Sequence, residues 1–257
     1  MRLGFVGSGT ITAAIVEGLS AAKADVSIVL SPRNAAVAGA LAARYSNVRV
    51  AECNQTVLDD SEVVVIAVRP QIVEEVLQQL RFRPDHRVVS LVARVSLQYL
   101  QRATHPASRV TRAVPLPSVA RRQGPTAIFP PADDVVALFD PLGTAIPVEQ
   151  EAVFNVFGTA TAVMASYFAF AGTISGWMER HGVAHETARA FVRQMLEGLA
   201  TAGPDRTFEE LANEHQTRGG INEQVVRAVA KEGVISSLDE ALDAALASMQ
   251  RGSTERS

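Results

Sequence analysis

Lysine is almost absent from this chain. Among 24 basic residues in 257, only Lys23 and Lys231 are lysines, and none lies between them. Cysteine is nearly absent too. The single Cys53 excludes an internal disulfide and fits a reducing compartment, so a cytoplasmic location is expected. By type, Cys53 reads as a small buried apolar residue rather than a nucleophile. The five histidines (His86, His105, His181, His185, His215) have no metal-ligand spacing, so they read as surface residues and no metal site is expected. The formal net charge of -3 gives no basic field for nucleic acid. The sequence opens directly into a strand pattern, so no signal peptide is expected.

Charge is missing altogether from Ala152 to Met178. That run is long enough to span a bilayer. It also carries Asn155, Thr159, Thr161, Ser166, Tyr167, Thr173, Ser175 and three glycines, and Glu149, Glu151, Glu179 and Arg180 flank it without a positive cluster. A helix apolar all round lies in lipid or in a protein core. We read it as a central helix buried by a partner subunit, with no membrane partner.

What is present begins at residue 3. The apolar run Leu3-Gly4-Phe5-Val6 ends in Gly7-Ser8-Gly9, and Thr10, Ile11 and an amphipathic stretch follow. Strand, tight glycine turn, helix: Gly7 permits the turn, and Gly9 lets a pyrophosphate approach the backbone at the positive helix end. The third glycine position of such fingerprints is Thr12, bulkier but tolerable. The second strand ends in Ser31-Pro32-Arg33-Asn34. A site for NAD would place a carboxylate there, on the ribose 2′-hydroxyl. Here Arg33 offers a cationic fork to a 2′-phosphate, so NADP(H) is preferred over NAD(H). The alternative is that Arg33 is only a solvated loop residue.

Strand candidates at 2–6, 26–30, 48–51, 63–68, 87–92, 109–114, 125–129 and 144–148 alternate with helical stretches at 10–22, 34–45, 55–59, 71–80, 96–103 and 133–141. That alternation indicates an α/β fold, a Rossmann-type doubly wound, mostly parallel sheet. After 149 only helices are expected: 150–181, 184–202, 205–215, 222–232 and 237–250. Gly203-Pro204 closes the second, and a capping box Ser237-Leu238-Asp239-Glu240 opens the last. The expected division is a cofactor domain at 1–149, an all-α dimerisation and substrate domain at 150–250, and a disordered tail at 251–257.

Several blocks, in order, resemble the pyrroline-5-carboxylate reductase family. Gly4-Phe5-Val6-Gly7-Ser8-Gly9 is similar to its opening fingerprint, and Ser31-Pro32-Arg33-Asn34 to its 2′-phosphate segment. Asn54 falls where the family has an asparagine near the cofactor. Ala67-Val68-Arg69-Pro70-Gln71 resembles the "AVKPQ" turn with arginine for lysine. Arg112-Ala113-Val114-Pro115 resembles "R-x-M-P-N", and Thr217-Arg218-Gly219-Gly220-Ile221-Asn222 the "SPGGTT" loop. The resemblance implies cofactor contacts from these first blocks. It implies a substrate carboxylate at Arg218, Gly219, Gly220 and Ile221, and Asn222 as the residue at the ring nitrogen. Without the resemblance, Asn222 reads as a helix N-cap and Arg218 as an ion-pair residue.

The departures fall mostly in the substrate half. Leu116 replaces an asparagine, Ala93-Arg94 an alanine-glycine turn, and Ile221-Asn222 paired threonines. Thr161 to Ser166 carries none of the glycines of the family's central-helix block. The implied reaction is NADPH-dependent reduction of a cyclic imino acid C=N bond, pyrroline-5-carboxylate to proline, by a homodimer or larger homo-oligomer. Two alternatives stay open: reduction of another imine or a ketone, and a non-catalytic NADP-binding protein with a degenerate loop. The related plan of the β-hydroxyacid dehydrogenases needs a lysine on the long helix as acid–base group, and this chain has none there.

Overall fold

Valine-rich runs of four to six residues, too short for helices and apolar on both faces, build the centre of a parallel sheet. The structure is a computed structural model and describes residues 1–203 and 205–254. Its strands are β1 (Arg2–Val6), β2 (Ser27–Leu30), β3 (Val48–Val50), β4 (Val63–Ile66), β5 (Arg87–Ser90), β6 (Arg109–Val114), β7 (Pro125–Phe129) and β8 (Thr144–Pro147). The helices between them are α1 (Thr10–Ala21), α2 (Ala35–Arg44), α3 (Asn54–Asp59), α4 (Val73–Gln78), α5 (Leu97–Ala103) and α6 (Asp133–Phe139). Then come α7 (Glu151–Ala160), α8 (Val163–Arg180), α9 (His185–Ala200), α10 (Phe208–Glu214), α11 (Ile221–Lys231) and α12 (Val234–Thr254).

The eight strands form one sheet in the order β3-β2-β1-β4-β5-β6-β7-β8. All neighbours are parallel except β6 and β7. The chain leaves β1 toward β2 on one side and returns to β4 on the other. That reversal opens a crevice at the carboxyl ends of β1 and β4, where ligands bind in such sheets. Phe5, Ile15, Leu19, Leu30 and Phe139 fill one face of the sheet, and Val57, Leu58, Val64, Leu77 and Leu100 the other.

The molecule divides into two compact units: Met1–Thr159 with the chain from Ala245, and Ala160–Ala244. The expected boundary at 149/150 therefore moves. Helix α7 stays with the sheet because Phe154 and Asn155 are buried there, Phe154 against Phe129. The end of α12 also belongs to the sheet unit. Its Met249 sulfur accepts a hydrogen bond from Thr159 Oγ1 at 3.2 Å.

Other expectations are corrected. The helix foreseen at 150–181 is broken by a turn at Thr161-Ala162. Residues 251–254, foreseen as disordered, continue α12. Pro204 and residues 255–257 lie outside the described residues. Ser237 caps nothing, because α12 starts at Val234 after Gly233 turns the chain at φ +71°. The capping box is Thr207 with Glu210, at α10. Cys53 is exposed. His86 is fully buried, accepting from Arg83 N–H and bonding the Leu58 carbonyl through its other nitrogen.

One full charge sits inside the sheet unit. Arg112 on β6 is 2% exposed. Its guanidinium bonds Glu151 Oε1 at 2.7 Å and Asn155 Oδ1 at 3.3 Å, and lies 4.5 Å over the Phe154 ring. Burial pushes its pKa down, and the Glu151 carboxylate opposes that. Glu151 Oε1 also accepts from Leu97 N–H, so one carboxylate joins β6, α5 and α7.

Candidate functional site: a glycine turn at the sheet edge

Gly7 is held by two constraints. Its φ is +109°, and a Cβ there would lie 2.4 Å from the Ala67 carbonyl oxygen. The β1 and β4 exits thus touch, backbone to backbone, at the floor of the crevice. Gly9 is the opposite case: a Cβ would meet nothing within 4 Å. That open face above the α1 N-terminus suits a pyrophosphate, with Thr10 exposed and Ile11 half-buried at the helix start.

Three hydroxyls set the turn. Thr12, in the third glycine position, is buried and donates to the Gly7 carbonyl at 2.6 Å. Ser31 is fully buried and its Oγ accepts from Gly7 N–H at 2.9 Å. Ser8 Oγ donates to the Ser31 carbonyl at 2.7 Å. The side chains of Ser8 and Ser31, expected at the cofactor, therefore face inward and brace the turn. Only the Ser8 backbone is left to meet a ligand. Asn34 is exposed and caps α2, accepting weakly from Val37 N–H at 3.5 Å. Asn54 is half-buried in the first turn of α3. Ala67, Val68 and Arg69 form the β4 exit, and Pro70 starts a single 3-10 turn.

Charge separates the two edges of the sheet. At the amino edge, Arg2 pairs with Glu62, and Arg87 and Arg109 both pair with Asp134. At the carboxyl edge, Arg33, Arg69 and Arg94 follow β2, β4 and β5. All three are exposed, and none has an ion pair among the described residues. No carboxylate stands at the end of β2, which reads Leu30-Ser31-Pro32-Arg33.

The second predicted cluster opens α11. Gly219 carries the positive φ, +75°, with open space around a Cβ. Gly220 is the N-cap at φ -77°, and a Cβ there would crowd the Thr217 carbonyl oxygen at 2.8 Å. Both glycine N–H groups have partners within the chain. Gly219 donates to Glu223 Oε2 at 2.6 Å, and Gly220 to the Thr217 carbonyl at 2.7 Å. Glu223 Oε1 accepts in turn from Arg227. In this loop the Glu223 carboxylate therefore takes the Gly219 N–H. Asn222 is not the cap. Its Nδ2 donates to the His215 carbonyl at 2.7 Å and ties the loop to the end of α10. Arg218 is exposed, and Ile221 is 79% exposed. Among the described residues, no group of three or more histidines, cysteines and carboxylates is placed to hold a metal.

A glycine turn at the switch point of a parallel sheet, followed by an all-helical region, defines a two-domain protein of the dinucleotide-binding class. Comparison with known proteins narrows it. Residues 2–94 match the family described as NADP oxidoreductase coenzyme F420-dependent, and residues 150–251 the one described as pyrroline-5-carboxylate reductase dimerisation. The chain is 28% identical to a pyrroline-5-carboxylate reductase of Synechocystis sp., covering 95% of this chain and 96% of that protein. It is 25% identical to one of Pseudomonas aeruginosa, over 95% and 94%. Its fold is that of the Plasmodium falciparum pyrroline carboxylate reductase solved with NADP bound (TM-score 0.85, 15% identity, 98% of both chains). The chain is thus similar to pyrroline-5-carboxylate reductases over nearly its whole length, and its helical half matches their dimerisation family.

Proposed function

We propose that this chain reduces the C=N bond of a cyclic imino acid, pyrroline-5-carboxylate to proline, and prefers NADPH to NADH. The observation that carries the reading is the cofactor crevice, with Gly7 locked under Ala67 and Gly9 open, in a chain similar to these reductases over nearly its whole length. The backbone at Ser8, Gly9, Thr10 and Ile11 receives the pyrophosphate, flanked by Ala67, Val68, Arg69 and Pro70. Arg33 takes the 2′-phosphate, with Asn34 and Asn54 beside the adenosine half. When bound, the reduced nicotinamide supplies the hydride. The chain's own task is positioning, since a protonated imine already carries its charge and needs no strong acid.

Arg218, Gly219, Gly220 and Ile221 hold the substrate carboxylate, and Asn222 orients the ring nitrogen. The hold of Gly219 on Glu223 supports this, because that backbone already accommodates a carboxylate oxygen. A carboxylate ligand would displace Glu223, or use the first-turn N–H groups of α11 that lack intrahelical acceptors. The same bond favours a second reading, a protein that binds NADP but whose loop is closed on itself.

The helical unit assembles with a second copy. Helices α8, α10 and α11 bury no residue of their own, and Phe168, Phe191 and Trp177 are more than half exposed. By length and composition, the stretch Glu151–Arg180 passes for a membrane span, and only 17% of its most apolar 18-residue window is buried. The match of 150–251 to a dimerisation family supports a partner subunit instead.

The test is NADPH oxidation with pyrroline-5-carboxylate beside a panel of other cyclic imines, repeated with NADH. Turnover of another imine alone would move the substrate, and tight NADPH binding without any turnover would establish the second reading. Gly220→Val, which pushes against the Thr217 carbonyl, is expected to abolish turnover while NADPH titrations stay near wild type.

A further inference from the structure

The donors of the loop that opens α11 are engaged within the chain, but their acceptors differ in how easily they leave. Gly220 N–H goes to the Thr217 carbonyl, and Asn222 Nδ2 to the His215 carbonyl. Both acceptors are backbone. Gly219 N–H goes instead to a side chain, the Glu223 carboxylate. Of these three acceptors, it alone can swing away by side-chain rotation.

Glu223 is drawn into the loop. Its side chain is 19% exposed, against 76% for its partner Arg227. It stands third in α11 and reaches back past the N-cap Gly220, as a capping glutamate does. A glutamine would cap the same N–H, so the cap does not call for the negative charge. The two carboxylate oxygens have separate partners. Oε2 takes the Gly219 N–H, and Oε1 takes Arg227 at 2.6 Å, one turn further on. Releasing Oε2 therefore leaves the ion pair to Arg227 in place. The exchange costs one charge-assisted hydrogen bond, which an incoming carboxylate restores.

We propose that Glu223 is a specificity-determining residue, an internal competitor for the place of the substrate's carboxylate. This rests on the reading of residues 218–222 as the loop that holds that carboxylate. It adds which residue sets how strongly the loop favours acidic imines over neutral ones. Two carboxylates at one glycine turn repel each other, so an acidic imine binds only as Glu223 moves over to Arg227. A neutral cyclic imine has no group for the Gly219 N–H and leaves Glu223 where it is. The charge at 223 thus narrows the advantage that a helix start gives to an anionic ligand.

Tetrahydro-2-furoate, a ring carboxylate with no C=N bond to reduce, is the probe. It is titrated by calorimetry into NADP⁺-loaded wild type, Glu223→Ala and Glu223→Gln, with NADPH affinity and the thermal midpoint measured on each. Glu223→Ala is expected to bind the probe about tenfold more tightly than wild type, because no bond has to be broken first. Glu223→Gln keeps the cap without the charge and should fall between them, so it decides the matter even if the alanine variant unfolds. NADPH affinity should stay within about twofold, as one bond in this loop is all that changes. In turnover, the preference for pyrroline-5-carboxylate over 1-pyrroline, as a ratio of kcat/KM, should rise by the same factor in Glu223→Ala, through the KM of the acidic imine. A residue that only caps α11 would lower the thermal midpoint and leave probe affinity equal or weaker, and either result overturns the proposal. So does a probe that binds none of the three proteins. If the probe tightens but no imine is reduced, the reductase reading fails alone. If pyrroline-5-carboxylate is reduced with an unchanged ratio, that reading stands and Glu223 is a cap.

Discussion

The sheet unit completes its own core, whereas the helical unit does not. Around β1 and β4, Leu3, Phe5, Val6, Val64 and Ile66 are at most barely exposed. Among the described residues of the helical unit only Ala188 and Val192 are buried, while Phe168 is 70% and Phe208 92% exposed. One half is a finished solvent-excluding body, and the other presents apolar faces at a density that monomers rarely show. The first closes its core by itself, whereas the second leaves apolar faces that the proposed dimer would cover.

The sharpest way to break this contrast is a charge on the open half. Phe168 lines a groove of about 410 Å³ between α8 and α9, with Tyr167, Val192 and Leu196. Burying one phenylalanine contributes roughly 1.5–3 kcal/mol, and a twofold interface counts it twice. Phe168→Glu is expected to weaken the assembly a hundredfold or more, giving monomers by light scattering at micromolar concentration. NADPH affinity should be retained, since its proposed site lies in the finished half. An oligomer unchanged by this substitution would mean that the groove faces something else.

Next in size is the buried charge of the closed half. Glu151→Ala strips the Arg112 guanidinium of its carboxylate, and stranding a buried charge costs about 3–5 kcal/mol. The lower end applies, since the Glu151 side chain is 35% exposed and water can reach its place. The urea midpoint should fall accordingly. Arg112→Met combined with Glu151→Leu should be less harmful than Glu151→Ala alone, because no charge is then left inside. If the double variant is the worse of the two, the network contributes more than charge neutralisation.

A smaller effect probes the paired and unpaired edges of the sheet. Arg33→Ala removes one charge-assisted phosphate contact, about 1.5–3 kcal/mol, a loss of roughly tenfold to a hundredfold in NADPH affinity. NADH affinity should hardly change. Equal affinities for the two cofactors in wild type would remove Arg33 from the 2′-phosphate.

The two halves also differ in how far their sequence can be read. All eight strands and the glycine turn were legible, because short β-branched runs and Gly7-Ser8-Gly9 are local signals. Inward and outward were not. Ser31 lies beside a ligand segment in sequence, yet its hydroxyl turns in to hold Gly7, and only the 24-residue return of the chain makes that contact. Thr12 read as a tolerated bulk and is the donor that fixes the turn. In the helical half, Ser237 to Glu240 and Thr207 to Glu210 carry the same capping signature. The choice between them depends on Gly233, which starts the last helix early. At the substrate loop the glycine pair was legible, but the assignment of strain was not. Gly219 bears the positive φ, and Gly220 is held by crowding.

His86 is the residue that composition misplaced most, and it yields the smallest effect and the subtlest test of the closed half. Its neutral ring accepts from Arg83 N–H at 3.0 Å and, with the proton on Nε2, donates to the Leu58 carbonyl at 3.1 Å. A second proton would land on the nitrogen that faces an N–H donor. Burial first, then the nearby Arg83 charge, hold its pKa below the ordinary histidine value. The unfolded chain, near the ordinary histidine value of about 6.5, therefore takes up a proton that the folded chain refuses. Stability from this site is complete above that pH and is lost as pH falls through it toward the lowered folded value. Urea midpoints should decline as pH falls below about 6.5, above the range where carboxylates titrate. His86→Gln keeps an acceptor and a donor but no titration, so it should start lower and flatten that decline. Parallel slopes in the two proteins would place the pH sensitivity on another group.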